Sequence, residues 1–440
     1  MMAWSLDSLS ALRSARLTTE TDEEIGRYSI EGVIPRAAVR AESAEAVAAT
    51  LRTAHEHELA VCFFGGRTMT GLGMPPNRHD LAIDLSGLNA VVDYEPNDFT
   101  ISVGAGKTLA ELQRTLAEHG QFVPLDAPQF ERATLGGIAA VGRGGLRRTA
   151  FGGPRDWLIG MRMARADGQL IKGGGQVVKN VSGYDLPKLF AGSMGTLGAI
   201  VEVTLKLRPL PASDRVVAIS APSFEVALAA AGAAAQAAPS LNGCVALSEE
   251  SAANARALGA ELLTDEPTLV LRAVGLESAV AEVLADAVDA ARLSGLNQAE
   301  RTTTAIVETW QAIVDLELET PAEQMRLRLG LRPASLAAAQ RLLAERLPQS
   351  TRWVAAADSG LLYVDAPLPE LEAAVDTIQA LRAGMASLGG HLTVESAPTE
   401  LKRRVDVWGP AGPGERLMRR IKEQFDPAGI LSPGRFVGGI

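Results

Sequence analysis

From about residue 33 the chain alternates short apolar runs with stretches whose apolar positions recur at helical spacing. Over 43–57, Val47 and Leu51 lie four apart with His55 flanking, which predicts a helix, and 59–64 then reads as a strand. Further strands are predicted at 81–85, 90–94 and 100–103, with a helix over 109–119. Beyond Leu207-Arg208-Pro209-Leu210-Pro211 the chain turns alanine-rich and glycine-poor, which sets a boundary near 211. Two similar passes follow. The first places strands at 216–219, 245–247 and 269–271 and helices at 224–238 and 278–293. The second places strands at 325–329, 353–355 and 361–364 and helices at 336–347 and 369–388, with Pro369 suited to a first helical position. That order reads as a split βαβ, ferredoxin-like sheet with pseudo-twofold halves. The periodicity therefore divides the chain into an extension over 1–32 with an amphipathic piece at 6–17, one domain over 33–211, a second over 212–400, and a terminal segment over 401–440.

Composition narrows the classes. A 47% hydrophobic share with 21% charge supplies a core, and 52 acids against 42 bases give a net charge of -10. No basic stripe interleaves with aromatics, so the reading is no nucleic acid partner, and the acidic balance disfavours docking on anionic lipid. Two cysteines, Cys62 and Cys244, cannot build a disulfide framework and suit a reducing compartment. The N-terminus lacks a basic then apolar signal pattern, and the most apolar stretch, 226–238, is mostly alanine, interrupted and short. The expectation is a cytoplasmic protein with no integral membrane segment.

Several chemistries are refused by spacing. Gly106-Lys107-Thr108 resembles the end of a phosphate loop, but Ile101 stands where that loop needs glycine. Gly71-Leu72-Gly73 runs into Met74-Pro75-Pro76, which cannot open a dinucleotide-binding helix. Gly192-Ser193-Met194-Gly195 lacks the first glycine of a nucleophile elbow, since Ala191 occupies it. For metals the reading is none: His55 and His57 are two apart on a helix and face different ways, and His79, His119 and His391 are isolated.

Three glycine-bearing segments remain. Residues 65–73 follow a strand, and successive N–H groups in such a loop form a nest for a pyrophosphate. Thr134-Leu135-Gly136-Gly137, followed by Ile138-Ala139-Ala140-Val141-Gly142, would open a helix whose free N–H groups and dipole face the same anion. Residues 192–200 run into a strand that ends near Lys206.

The order FGGRTMTG, ATLGG, GGQVVKNVSGYDLPKLFAGSMGTLGAIVEVTLKL and FDPAGILSPGR resembles the vanillyl-alcohol-oxidase, or PCMH-type, FAD-binding flavoproteins. Within them it is most similar to the FAD-binding, non-catalytic subunit of bacterial glycolate oxidases, over about 33–210 and the last forty residues. The resemblance implies an α+β fold: a PCMH-type FAD-binding domain of two subdomains, a ferredoxin-like α/β cap, and a C-terminal segment returning to the FAD domain. It implies that Gly65, Gly66, Arg67, Thr68, Met69 and Thr70 wrap the pyrophosphate and ribityl chain. Thr134, Leu135, Gly136, Gly137, Ala140 and Gly142 would lie by pyrophosphate and flavin, with Ile200 touching the adenine side through its backbone. Arg67 stands where some relatives carry a flavin-linked histidine, so the implied FAD is non-covalent. Lys179 and Tyr184 would lie near the flavin ring, where charge tunes the cofactor, and the bland reading of that segment is a helix start with an Asn or Ser cap. Ser432 stands where relatives often carry asparagine.

The cap lacks the histidine- and glycine-rich motif of the catalytic glycolate oxidase subunits and of D-lactate dehydrogenases; its half of the chain has one histidine, His391. Arg326, Arg328 and Arg332 are its only cluster able to pair with a carboxylate, and Arg328 is the candidate among them. Surface salt bridging is their alternative reading. The implied role is an FAD-dependent oxidoreductase subunit acting on small 2-hydroxy acids beside a catalytic flavoprotein and an iron–sulfur subunit, with any membrane association through those partners. The alternatives are a self-sufficient dehydrogenase using Tyr184 or Arg328, and an assembly scaffold without redox chemistry.

Overall fold

The computed structural model describes residues 22–176, 183–296, 298–316 and 323–440. The amphipathic piece expected at 6–17 and Lys179 lie outside the described residues. Three strands, β1 (Ala37–Arg40), β2 (Val61–Phe64) and β3 (Leu81–Asp84), form a parallel sheet ordered β1-β3-β2. The helix Ala44–Glu56 packs on it, joining Val47 and Leu51 to Val39, Val61 and Ile83 in one apolar cluster. Ser43 starts that helix by accepting the Ala46 N–H at 3.1 Å, a cap worth about 1 kcal/mol. Parallel strands carry their C-terminal ends to one edge, where open α/β sheets bind ligands, and the loop at 65–70 leaves β2 there.

The second sheet takes β4 (Val91–Glu95) and β5 (Thr100–Gly104), and after the short β6 (Gln121–Phe122), β7 (Leu158–Ala164), β8 (Leu170–Gly174) and β9 (Ala199–Lys206). Its order is β4-β5-β9-β7-β8, antiparallel throughout. The sequence did not mark β7 or β8, because glycines interrupt the pattern. The interruption has a steric cause: a Cβ on Gly173 would lie 2.7 Å from Leu186 Cβ, so glycine lets the helix Leu186–Phe190 press on β8. Asp185 caps that helix, accepting the Lys188 N–H at 3.2 Å, where an Asn or Ser cap was expected. Thr108 and Glu111 form a reciprocal capping box on the helix Leu109–Ala117.

The short β10 (Arg208–Pro209) pairs with β6 and leads into an eight-stranded antiparallel sheet. Its strands are β11 (Ser213–Ser220), β12 (Gly243–Leu247), β13 (Thr268–Gly275), β14 (Arg301–Thr302), β15 (Gln324–Gly330), β16 (Arg352–Ala356), β17 (Leu361–Pro367) and β18 (His391–Ser396). The order β14-β11-β13-β12-β16-β17-β15-β18 consists of two four-stranded halves of one topology joined where β12 meets β16. Helices Phe224–Ala237 and Glu277–Leu293 in the first half, and Leu336–Ala344 and Leu371–Ser387 in the second, cover one face. The last helix begins at Leu371 with Glu370 as its cap residue, so Pro369 lies just outside it. Helices Glu249–Ala257 and Ile306–Asp315 cover the other face, where Leu146 from the first region joins the same cluster.

After the helix Glu415–Phe425 the chain returns to the first sheet. Val61 N–H donates to Ile430 O at 2.7 Å, and Ser432 N–H donates to Val61 O at 2.8 Å. Buried Asp426 accepts the Ile430 and Leu431 N–H groups, and Lys422 Nζ ties it to Thr196 O and Leu431 O. Among the described residues no helix is long and apolar enough to cross a membrane.

Candidate functional site

A cleft of about 900 Å³, counted to its open mouth, runs between the loop at 65–70, the segments at 126–143, and the returning C-terminus. A second cavity of about 460 Å³ adjoins it and shares Phe63, Gly65, Thr134, Gly137 and Met194 in its wall. Two close approaches build the cleft floor. A Cβ on Gly65 would fall 2.2 Å from Thr134 Oγ1, and one on Gly66 would fall 1.7 Å from Arg132 O. Only glycine lets the loop lie against the 132–134 backbone, and Arg132 Nη2 donates to Gly66 O at 3.1 Å to fasten it. Arg67 follows in the left-handed region (φ 56°). Its guanidinium reaches back to Asp84 at 3.7 Å and lies 5.6 Å from the Tyr28 ring centre. Tyr28 donates to the same carboxylate at 2.9 Å.

The expected donors divide unequally. Among the described residues, no acceptor takes the backbone N–H groups of residues 65–70, so the loop keeps its donors for a ligand. The helix Leu135–Val141 has instead used its own. Leu135 N–H donates to Lys107 O at 2.9 Å, Gly136 N–H to Ala105 O at 2.8 Å, and Gly137 N–H to Thr134 Oγ1 at 3.4 Å. The free helix-start donors that the sequence suggested are therefore absent, and this helix contributes a small-residue wall through Gly137 and Ala140.

Of the residues the resemblance implied, Gly65, Gly66, Arg67, Thr68, Met69, Thr70, Thr134, Gly137 and Ala140 line the cleft, and Gly136 and Ile200 line the adjoining cavity. Leu135 and Gly142 line neither. Leu135 is buried in the apolar cluster beneath the helix, and Gly142 ends the helix at φ 70°, pressed on Gly192. Tyr184 is 91% exposed and forms no part of the cleft wall. Ser193 is buried with no partner on Oγ, so no base activates it as a nucleophile.

The structure adds residues with little signal in the chain. Arg435 is buried against the cleft; its Nη2 donates to Thr70 O at 2.8 Å and to Leu72 O, while Nη1 has no partner among the described residues. Burial lowers its pKa from the ordinary arginine value. Cys62 lies beside it, its thiol pushed up to about 11 by burial, and so stays neutral. Asp126 holds buried Arg147 at 2.7 Å. The eight-stranded domain holds the cleft rim: Gln311 Nε2 donates to Ala127 O at 3.0 Å, and Asp315 accepts the Gln129 N–H at 2.5 Å.

At the cap end, Arg143 lines the cleft and lies 5.4 Å from the Tyr363 ring centre. Its Nη2 donates to Glu395 Oε2 at 3.0 Å, and Arg328 Nε stands 3.8 Å from the other oxygen. Arg326 and Arg328 share a strand face, but Arg326 is no surface residue. It is 2% exposed and bound in bidentate fashion to Asp365 at 2.6 and 2.5 Å, with Arg352 at 3.3 Å, because two inward steps of β15 carry it under the sheet. Arg332 lies exposed beyond β15 and does not join them. Burial, then Arg328 and Arg148, lowers the His391 pKa.

Residues 35–174 match the model of the FAD binding domain, and residues 410–436 match the C-terminal domain of FAD linked oxidases. A D-2-hydroxyglutarate dehydrogenase of Xanthomonas citri pv. viticola is 29% identical over 414 residues, 89% of this chain and 87% of that protein. Glycolate oxidase subunit GlcE of Escherichia coli is 36% identical over 148 residues, 33% of this chain and less than half, 42%, of that protein. In fold, p-cresol methylhydroxylase solved with substrate superposes with a TM-score of 0.72 at 18% identity, over 98% of this chain and 97% of that one. The architecture is thus the PCMH-type FAD fold. The cleft fits FAD on its own terms: unclaimed N–H donors over 65–70, a small-residue wall, and a buried guanidinium with one amino group unengaged suit an elongated anionic ligand.

Proposed function

We propose that this chain, an FAD-dependent oxidoreductase carrying the FAD-binding domain of the FAD linked oxidases, serves as the FAD-binding subunit of a heteromeric oxidoreductase for small 2-hydroxy acids, with glycolate the leading substrate. FAD, when bound, supplies the redox chemistry. The chain's own residues hold it: donors at 65–70 take its phosphates, Gly137 and Ala140 admit it closely, and Arg435 adds positive charge. Arg67 offers no covalent attachment, so the flavin is held non-covalently. The observation that carries the relay role is the cap end of the cleft, where an arginine–glutamate pair stands in place of an unengaged proton acceptor. Abstraction of a substrate proton then falls to a separate catalytic flavoprotein, and an iron–sulfur subunit takes the electrons onward. Two cysteines cannot ligate a four-cysteine cluster in this chain.

A self-sufficient 2-hydroxy acid dehydrogenase is favoured by one observation, the similarity to D-2-hydroxyglutarate dehydrogenase along 89% of the chain. One experiment separates the readings. The purified, FAD-loaded chain is mixed anaerobically with glycolate and then with D-2-hydroxyglutarate, and flavin absorbance is followed. A relay subunit stays yellow until the catalytic partner is added. Bleaching by either acid alone makes the chain self-sufficient, and failure to take up FAD leaves the scaffold.

A further inference from the structure

Glu395 lies in β18 at the one irregularity of its pairing with β15: Arg326 faces Ser396, Leu327 faces Val394, and Glu395 is the extra residue between them. A bulge re-aims the side chain it carries, and bulges recur beside functional sites. Here it sends a carboxylate, 8% exposed, between two guanidinium groups from different domains, Arg143 on the cleft wall and Arg328 on β15. The Tyr363 ring packs on Arg143 and fixes it from below. Two arginines converging from separate elements are an arrangement for capturing a carboxylate, and a planar guanidinium does so with a defined direction. Arg328 Nε has no hydrogen-bond partner among the described residues and meets Glu395 only at 3.8 Å, so the carboxylate sits closer to one arginine than a bound ligand spanning both would.

We infer that Arg143 and Arg328 form a binding site for small carboxylates, and that Glu395 is an internal plug occupying it. The inference deepens the relay reading and rests on it: the plug explains how a chain with a flavin cleft and a substrate-like anion site is kept from binding the 2-hydroxy acid itself. Removing the plug opens the site to compact carboxylates.

Oxalate, a redox-inert dicarboxylate of glycolate's size, is the probe, and its binding to the full-length FAD-loaded chain is read by calorimetry and by flavin difference spectra. Glu395→Ala is expected to bind oxalate roughly 10- to 100-fold tighter than wild type, the range that one charge-assisted hydrogen bond supplies. Arg143→Ala added to it should abolish the gain. Glu395→Gln, which keeps the shape and removes the charge, should show a gain of the same sign. Equal oxalate affinity in wild type and both Glu395 variants overturns the inference, as does a gain that survives loss of Arg143. Loss of FAD and of cooperative unfolding in both variants would make Glu395 a structural ion-pair member and overturn it as well. Bleaching of the wild-type flavin by glycolate alone would remove the relay reading while leaving the oxalate comparison to stand or fall by itself.

Discussion

Gly66→Ala should detach the cofactor loop from its floor. The new methyl would start 1.7 Å from Arg132 O and 2.6 Å from Arg132 C, where ordinary contact begins at 3.4 Å. Both obstacles are backbone, so no side chain can swing aside. The strand-end loop and the 132–134 segment must part by 3.4 minus 1.7, about 1.7 Å, if they move along the contact. Overpacking of that kind costs about 1–3 kcal/mol of stability. The larger effect is on ligand. Losing two charge-assisted hydrogen bonds from the loop N–H groups removes about 3 kcal/mol, or roughly 100-fold in FAD affinity. Titration of the apo-protein by quenching of FAD fluorescence gives the affinity, and thermal unfolding gives the stability. Gly412→Ala is the control, since nothing lies within 4 Å of its added carbon. An FAD affinity for Gly66→Ala within threefold of wild type would refute the reasoning and mean that the loop does not bind through its backbone.

Asp365→Ala leaves Arg326 buried without its carboxylate and Arg352 without its neighbour, so urea unfolding should show a loss of about 3–5 kcal/mol; a change under 1 kcal/mol rejects the buried pair as a stabilising element. Arg435→Ala should weaken FAD binding and loosen the returning C-terminus together, because Thr70 O and Leu72 O lose their donor; limited proteolysis beside FAD titration checks it, and unchanged affinity rejects a role at the cleft. Burial holds His79 at about 4 against an unfolded value near 6.5, so the unfolded chain binds more protons between those limits and stability falls as pH drops from about 6.5 to about 4. The full difference is worth about 3 kcal/mol. Asp358, raised to about 6 by burial, contributes in the opposite direction over nearly the same window, so the test is the difference between wild type and His79→Gln. The variant should show a flatter acid limb in denaturant titrations at pH 7 and pH 5; parallel profiles would count against the buried neutral imidazole.

The pattern of apolar positions was enough for most elements. The helix over 44–56, the strands flanking it and both passes of the cap sheet follow from local periodicity and caps, which act over a few residues and leave their mark in the chain. Strands β7 and β8 escaped because their glycines answer to a helix packed across them, a contact invisible along the chain. Helices 249–257 and 306–315 escaped for a related reason: their apolar faces fit a second sheet surface that the pattern did not foretell. At the site, the glycine loop could be read because close backbone approach demands glycine. The fate of the N–H groups could not, since Lys107 O and Ala105 O take the donors of the helix Leu135–Val141 from positions about thirty residues away.

The charged residues draw the line most clearly. Arg326 and Arg328 were legible as a pair on one strand face, since alternation is a local property of strands. Which of them is buried, and with what partner, was settled by β17 supplying Asp365 and by a bulge in β18 supplying Glu395. The sequence by itself determined the order of elements, the loop that needs glycine and the presence of an FAD fold. Tertiary structure alone decided that Tyr184 faces solvent, that Arg435 meets the cleft from the far end of the chain, and that Arg143 and Glu395 join two domains. Propensity and sterics act between neighbours along the chain, whereas burial and charge pairing act between whatever the fold brings together.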